Sequence, residues 1–349
     1  MPKKPSTSLI ADSGPAHKKA SSLTLIDVAK VAGVSPITVS RALHRPQIVS
    51  EKVREKVLEA VRQTGYVSNM LAGSLAGNKS RLVAIFVPTI ANSIFADTVQ
   101  ALMDRLSEAG YQTLLGLTGY SAEQEEKLLE AVLGRRPDGI VLTGTLHTAA
   151  SRLRLAQSGV AVVEAWDQSD QPLDMLVGFS HEAVGQAIAR HLLGKGYRRF
   201  CVLTLADPRG LRRSASLTEE LHRHGIDTVP THIMPTPATL ESGRLGLREL
   251  MAAGLPEVVV CSSDTIAQGV LAEAASRGLK VPQQLAVMGF GDLSSAAHVF
   301  PALSTVSVNG AQIGEQIAKA LLERFQQAPE NHTGVSVDTG FHIIDRQTT

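Results

Sequence analysis

From Arg81 onward the sequence switches repeatedly between two hydrophobic periods, and this alternation restricts the fold more than any other feature. Short apolar runs at 82–87, 111–117, 139–143, 160–166, 200–205, 257–261 and 285–290 alternate with amphipathic helical patterns at 95–109, 121–133, 181–193, 240–253 and 264–277. A strand buried on both faces reads as a continuous apolar run, and the helices between such strands cover the sheet. The pattern therefore predicts βαβ units and parallel sheets. Residues 81–349 exceed one ordinary core, which points to two doubly wound lobes. The last expected strand, 341–344, is followed by no heptad repeat, so a dimer is expected rather than a tetramer.

The first 80 residues are different in charge and in texture. They hold twelve Lys and Arg against five Asp and Glu, leaving 22 basic and 28 acidic residues for the remainder. A strongly basic segment ahead of an acidic body implies an anionic partner, nucleic acid first and a membrane surface second. Residues 1–22, rich in Lys, Ser, Pro and Ala and without periodicity, are expected to be a disordered tail.

Helical signals begin at Thr24. Thr24 and Asp27 have capping-box spacing, Ile26, Val28 and Ala29 are expected to face inward, and Gly33 stops the helix. Ser35 as N-cap and Pro36 at the first helical position restart a second helix at once. Ser50 opens a third, with an apolar stripe of Val53, Val57, Ala60 and Val61 and its stop at Gly65. Two short helices joined by a tight glycine turn are the geometry of a helix-turn-helix, whose second helix presents side chains to base edges in the major groove. On that helix Pro36, Ile37, Ser40, Arg41 and His44 face out, while Val39 and Leu43 face in. Arg41 suits a guanine, because a guanidinium bridges O6 and N7. Thr38 and Ser40 suit phosphates, and Ile37 a thymine methyl.

The run Thr24-Leu25-Ile26-Asp27-Val28-Ala29-Lys30-Val31-Ala32-Gly33-Val34-Ser35, with Thr38-Val39-Ser40-Arg41-Ala42-Leu43, Val49-Ser50, Arg54-Glu55-Lys56-Val57, Gly65-Tyr66 and Asn69, resembles the headpiece of the lactose/galactose repressor family. That resemblance implies a dimeric transcriptional repressor: an all-α helix-turn-helix headpiece (23–67), a hinge helix and linker (68–80), and an α/β two-lobed body like the periplasmic binding proteins (81–349). It places the first lobe at about 81–180 and 308–335 and the second at about 181–307 and 336–346. DNA contacts are expected from Thr24, Ser35, Pro36, Ile37, Thr38, Ser40, Arg41, His44 and Asn69. In the hinge, Leu75 occupies the position of a leucine that wedges into the minor groove, beside Ala72; such a wedge unstacks a base step and bends the duplex. Pro36 and Ile37 fill the two positions that vary within the family and set operator preference, and His44 stands where asparagine is more usual.

In the body, the resemblance implies a cleft closing on a small effector. Ile94 and Phe95 match the segment at the cleft mouth, and Trp166 and Asp167 end a strand near it; for Phe95 a place in the core is an equal alternative. Arg213 aligns with the arginine that grips the effector, with Arg212 as substitute because the family's downstream glycine is Ser216 here. Asp264 matches the family's binding aspartate segment and is equally placed to cap a helix. A polyol carboxylate would then meet Arg213 at one end, through paired hydrogen bonds, and Asp264 with Glu164 or Asp167 at the other. Pro88-Thr89-Ile90-Ala91-Asn92, Gly110-Tyr111-Gln112-Thr113, Gly119-Tyr120, Asp138-Gly139-Ile140-Val141-Leu142-Thr143, His147-Thr148 and Val177-Gly178-Phe179 resemble the gluconate-operon repressors within the family. Gluconate, 6-phosphogluconate or a ketogluconate is the expected effector, and release of DNA the expected response; a neutral sugar or a corepressor is the alternative.

Other classes fit less well. There is no glycine-rich phosphate loop, nucleophile elbow or His/Cys/acid cluster with metal spacing, so neither enzyme activity nor a cofactor or metal is expected. A transport binding protein would leave 24–76 without a use. Two cysteines, Cys201 and Cys261, provide no disulfide framework, and no apolar stretch reaches the length of a membrane span; a cytoplasmic location, on the nucleoid when operator is bound, is expected.

Overall fold

The structure, a computed structural model, describes residues 23–67, 79–91, 93–328 and 332–349. The chain forms two compact units, Met1–Asn78 and Lys79–Thr349. The hinge positions Asn69, Ala72 and Leu75 lie outside the described residues.

In the first unit, α1 (Leu25–Ala32), α2 (Pro36–His44) and α3 (Glu51–Thr64) enclose a small core of Val28, Ala29, Val39, Ala42, Val57 and Ala60. Gly33 takes the left-handed conformation, φ 65° and ψ 36°, which a residue with a side chain adopts only at a cost, and this turns the chain from α1 into α2. Ile26 departs from expectation: it is 55% exposed, because Leu25, Val28, Ala29 and Ala32 already complete the inward stripe of a helix only eight residues long.

The second unit contains a six-stranded sheet in the order β11-β5-β4-β3-β1-β2, parallel throughout, and a four-stranded parallel sheet in the order β7-β6-β8-β9. The first comprises β1 (Leu82–Val87), β2 (Gln112–Leu117), β3 (Gly139–Thr143), β4 (Ala161–Ala165), β5 (Met175–Gly178) and β11 (Ser336–Asp338). The second comprises β6 (Phe200–Leu205), β7 (Thr231–Met234), β8 (Val258–Cys261) and β9 (Ala286–Met288). The antiparallel pair β10 (Thr305–Ser307) and β12 (His342–Ile344) joins the second sheet through bridges from Ser304 to Met288 and from Ser307 to Gly291. The chain thus passes between the two sheets three times. Ser336–Asp338, expected with the second lobe, instead pairs in register with Leu176, Val177 and Gly178 and is an edge strand of the first. Its three residues carry too little apolar side chain for the sequence to reveal a strand.

The helices between strands are α4 (Ala96–Glu108), α5 (Ala122–Leu133), α6 (Ala149–Ser158), α7 (His181–Gly194), α8 (Pro208–Arg223), α9 (Leu240–Ala253), α10 (Asp264–Ser276) and α11 (Gly310–Arg324). The close packing of α8 on α7 depends on a glycine. A Cβ at Gly185 of α7 would meet the backbone amide of Leu217 at 2.8 Å and the carbonyl of Arg213 closer still, so the missing side chain lets α8 lie directly on α7. That contact fixes the first turns of α8 at the C-terminal ends of the strands, where ligands of open α/β sheets bind.

Candidate DNA-reading face and effector cleft

The DNA-reading candidates are organised by two caps. Thr24 donates from its backbone N–H (3.0 Å) and its hydroxyl (2.7 Å) to Asp27 Oδ2, and Ser35 Oγ accepts from the Thr38 N–H at 3.2 Å while bonding the Thr38 hydroxyl at 2.8 Å. Both interactions satisfy donors that a helix start leaves open. Beyond them α2 presents Pro36, Ile37, Arg41 and His44 to solvent, with Thr38 and Ser40 half-buried along the same helix and Val39 in the core. Ile37 is 64% exposed. Among the described residues no carboxylate lies within 4 Å of the Arg41 guanidinium, whereas Lys30, Arg54 and Arg62 are paired with Asp27, Glu51 and Glu59.

Two adjoining cavities lie among the strand ends of the second unit and share Tyr120 and Arg209. The inner one is walled by Ile94, Phe95, Trp166, Leu205 and Phe290 and carries Arg209, Arg213, Asp207, His181, Ser262 and Ser263. The outer one is lined by Thr118, Ser121, Thr143, Thr145, Glu125 and Asp167. Phe95 and Trp166 meet edge to face at 5.1 Å, and the Trp166 indole N–H donates to Thr98 Oγ1 at 3.2 Å. Phe95 is at once a buried core residue and part of the wall, so its two expected roles coincide.

Arg213 and Arg212 are placed differently. Arg213 reaches the inner cavity, where Nη2 donates to the Ser262 carbonyl (2.9 Å), Nη1 donates to His181 Nδ1 (2.9 Å), and the guanidinium stacks on Phe290 at 3.7 Å. Burial lowers its pKa to about 10, so it remains a cation at neutral pH. Burial and then the neighbouring arginine push the His181 pKa well below 6.5; the ring is neutral, accepting at Nδ1 from Arg213 and donating from Nε2 to the Trp166 carbonyl at 3.0 Å. Arg212 turns away to Asp167 Oδ1 (2.8 Å) and Glu182 (3.4 Å) and lines neither cavity.

Of the three acids expected at the effector, one lines a cavity. Asp167 does, with its carboxylate shared among Arg212, the Gln168 N–H and the Thr145 hydroxyl. Glu164 lines neither cavity; it is fully buried, accepting from Leu173 N–H and bonding His147 Nε2 at 3.1 Å. On its other side His147 bonds Glu125 at 2.6 Å. Burial alone would lower the His147 pKa, but the two carboxylates outweigh it and raise it to about 9. Asp264 is likewise turned inward: Oδ1 accepts from the Thr305 hydroxyl at 2.6 Å and Oδ2 from the Leu293 N–H at 2.8 Å, leaving it fully buried with a pKa raised by burial to about 6. It follows Ser263, the N-cap of α10, and ties that helix to the segments around β10.

Tyr120, Arg209 and Phe290 were not foreseen from the sequence. The signal for Arg209 was present: Arg209 and Arg213 are four apart, so on a helix they share a face. The helix itself was missed because its first turn reads Asp-Pro-Arg-Gly, a turn signature, where Asp207 is in fact an N-cap accepting from the Arg209 and Gly210 N–H groups.

Comparison with known proteins decides the family. A model of "Bacterial regulatory proteins, lacI family" matches residues 24–69, and one of a "Periplasmic binding protein-like domain" matches 189–349. A curated relative, the HTH-type transcriptional regulator GntR of Pseudomonas aeruginosa, is 36% identical over 330 residues, 93% of this chain and 95% of that protein. The chain belongs to the LacI family. Among solved structures, a LacI-family transcriptional regulator from Silicibacter pomeroyi superposes with a TM-score of 0.86 at 31% identity, covering 93% of this chain and 99% of that one. The lac repressor dimer bound to operator has a TM-score of 0.77 at 24% identity over 94% of this chain and 99% of that one, a likeness of fold. This LacI-family protein is therefore a DNA-binding transcriptional repressor rather than an enzyme, with a helix-turn-helix and a two-lobed body. Among the described residues no helix is long and apolar enough to cross a membrane.

Proposed function

We propose that this repressor binds a pseudo-palindromic operator as a dimer and is released from it by a sugar acid, gluconate or a close relative such as 6-phosphogluconate or a ketogluconate. The observation that carries the effector class is the placing of two guanidinium groups, Arg209 and Arg213, in one cavity that holds a single carboxylate, Asp207. A sugar hydroxyl can accept from a guanidinium, but a carboxylate also neutralises its charge and takes two parallel hydrogen bonds, which makes it the stronger partner. The neighbouring cavity, rich in hydroxyls and carboxylate oxygens, suits the polyol remainder. The resemblance to gluconate-operon repressors and the GntR relative support the same reading.

On DNA, Arg41 reads guanine, Thr24, Ser35, Thr38 and Ser40 hold phosphates, and Pro36, Ile37 and His44 select the operator. The hinge residues Asn69, Ala72 and Leu75 complete the contacts from the minor-groove side. Coupling arises because the effector favours one arrangement of the body and the operator another. Calorimetry on the full chain tests the effector class: gluconate is expected to bind with a saturable isotherm, and binding of a neutral sugar or a purine with none to any sugar acid overturns it. Leu75→Ala is expected to lower operator affinity far more than non-specific affinity; equal losses refute the wedge.

A further inference from the structure

We infer that Arg209, not Arg213, is the group that receives the effector's carboxylate, and that the cleft reads its ligand in one direction, with the acid at the inner cavity and the hydroxylated tail in the outer one. This rests on the sugar-acid reading and adds a receptor residue and an orientation to it.

The two arginines differ in how much of their bonding is already spent. Arg213 is braced on both terminal nitrogens, by His181 Nδ1 and the Ser262 carbonyl, and one face of its guanidinium lies on Phe290. Its geometry joins α7, α8 and the end of β8, which is the work of a brace. Arg209 Nη1, by contrast, is a buried donor without a hydrogen-bond partner. Its nearest carboxylate, Asp207 Oδ1, is 3.6 Å from Nε, beyond hydrogen-bonding distance, and that oxygen already accepts the Arg209 and Gly210 backbone N–H groups. Its guanidinium carbon sits 5.5 Å from the centre of the Phe95 ring, which limits how far it can swing. The guanidinium thus has an ion-pair partner in Asp207 but a buried N–H with no hydrogen-bond acceptor, and the cost of that open donor is relieved when an anion arrives.

Position gives the direction. Arg209 is on the boundary of both cavities. Inward lie Arg213, an aromatic wall and one carboxylate, Asp207, whose Oδ1 already accepts two backbone N–H groups; outward lie two carboxylates, Glu125 and Asp167, among Thr118, Thr143 and Thr145. An acid group is attracted inward and repelled outward, while hydroxyls find acceptors outward, so a polyol acid has one favourable orientation.

Isothermal titration of the full chain with gluconate, with glucitol (the same chain without the acid) and with the shorter acid glycerate separates the possibilities. The wild type is expected to bind gluconate at least tenfold more tightly than glucitol. Arg209→Gln should reduce gluconate affinity to about that of glucitol, Arg209→Lys should restore part of the difference, and the melting temperature of Arg209→Gln without ligand should not fall. Thr118→Val, in the outer cavity, should weaken gluconate and glucitol alike and leave glycerate unaffected. Gluconate binding that survives Arg209→Gln overturns the inference while the sugar-acid reading stands. A Thr118→Val variant that weakens glycerate as much as gluconate overturns the orientation. Absence of binding by any acid to the wild type overturns both.

Discussion

The headpiece and the body bury very different things. The headpiece buries six small aliphatic side chains, Val28, Ala29, Val39, Ala42, Val57 and Ala60, and keeps its described ion pairs on the surface. The body buries, besides its aliphatic core, charged and polar groups in defined partnerships: Glu125–His147–Glu164, Arg213–His181 and Asp264–Thr305. A surface for DNA needs exposed donors on a rigid frame, which local caps and a short apolar stripe provide. A cavity for a small polar ligand needs donors and acceptors withdrawn from water, and their burial must be compensated inside the protein.

This contrast can be broken or sharpened by experiment. The largest effect is expected from a charge in the smaller core: Val57→Asp should destabilise the headpiece by at least about 4 kcal/mol, abolishing operator binding in a mobility-shift assay while calorimetric effector binding by the body persists. Loss of both would show that the units do not fold separately.

Next is the pH response of the body. His147 has a folded pKa of about 9 against 6.5 for the free side chain, so its contribution is fully present below pH 6.5 and is lost as pH rises through 9. The shift corresponds to about 3 kcal/mol. Thermal denaturation should show the body losing stability between pH 6.5 and 9, with a flatter curve for His147→Gln; parallel curves would rule out the protonated brace. Asp264 acts in the lower range: its carboxyl is raised from 3.8 to about 6, so folding favours the protonated form and stability declines as pH rises from about 4 to 6.

Arg41→Ala should cost about 1–3 kcal/mol of specific operator affinity with little change in non-specific binding, measured by competition; a uniform loss would make Arg41 a phosphate contact. The smallest effect is expected for Ser35→Ala, about 1 kcal/mol of headpiece stability, read from denaturant unfolding.

The same contrast explains what was legible in the sequence. Caps and stripes are local, so Thr24, Gly33, Ser35, Ser50 and Gly65 mark their helix ends where the structure has them. The long apolar runs, such as Leu82–Val87 and Phe200–Leu205, coincide with strands. Short edge strands did not stand out: Thr231–Met234 and Ser336–Asp338 have only three or four residues and little burial. Of the residues expected at the effector, Ile94, Phe95, Trp166, Asp167 and Arg213 line one or other of the two cavities. Asp264 was expected at the effector from its resemblance to the family's aspartate segment, and Glu164 as an alternative to Asp167; neither lines the two cavities. Which way a carboxylate turns there depends on partners far along the chain: His147 for one, Thr305 for the other.

The claim that joins the two units is that an acid bound in the body loosens the headpiece from DNA. Fluorescence anisotropy on a labelled duplex, selected by the protein from a random pool, tests it in one titration with gluconate. A saturable fall in DNA affinity is expected, absent with glucitol at the same concentration. An affinity that stays constant or rises as gluconate saturates its site would contradict the claim.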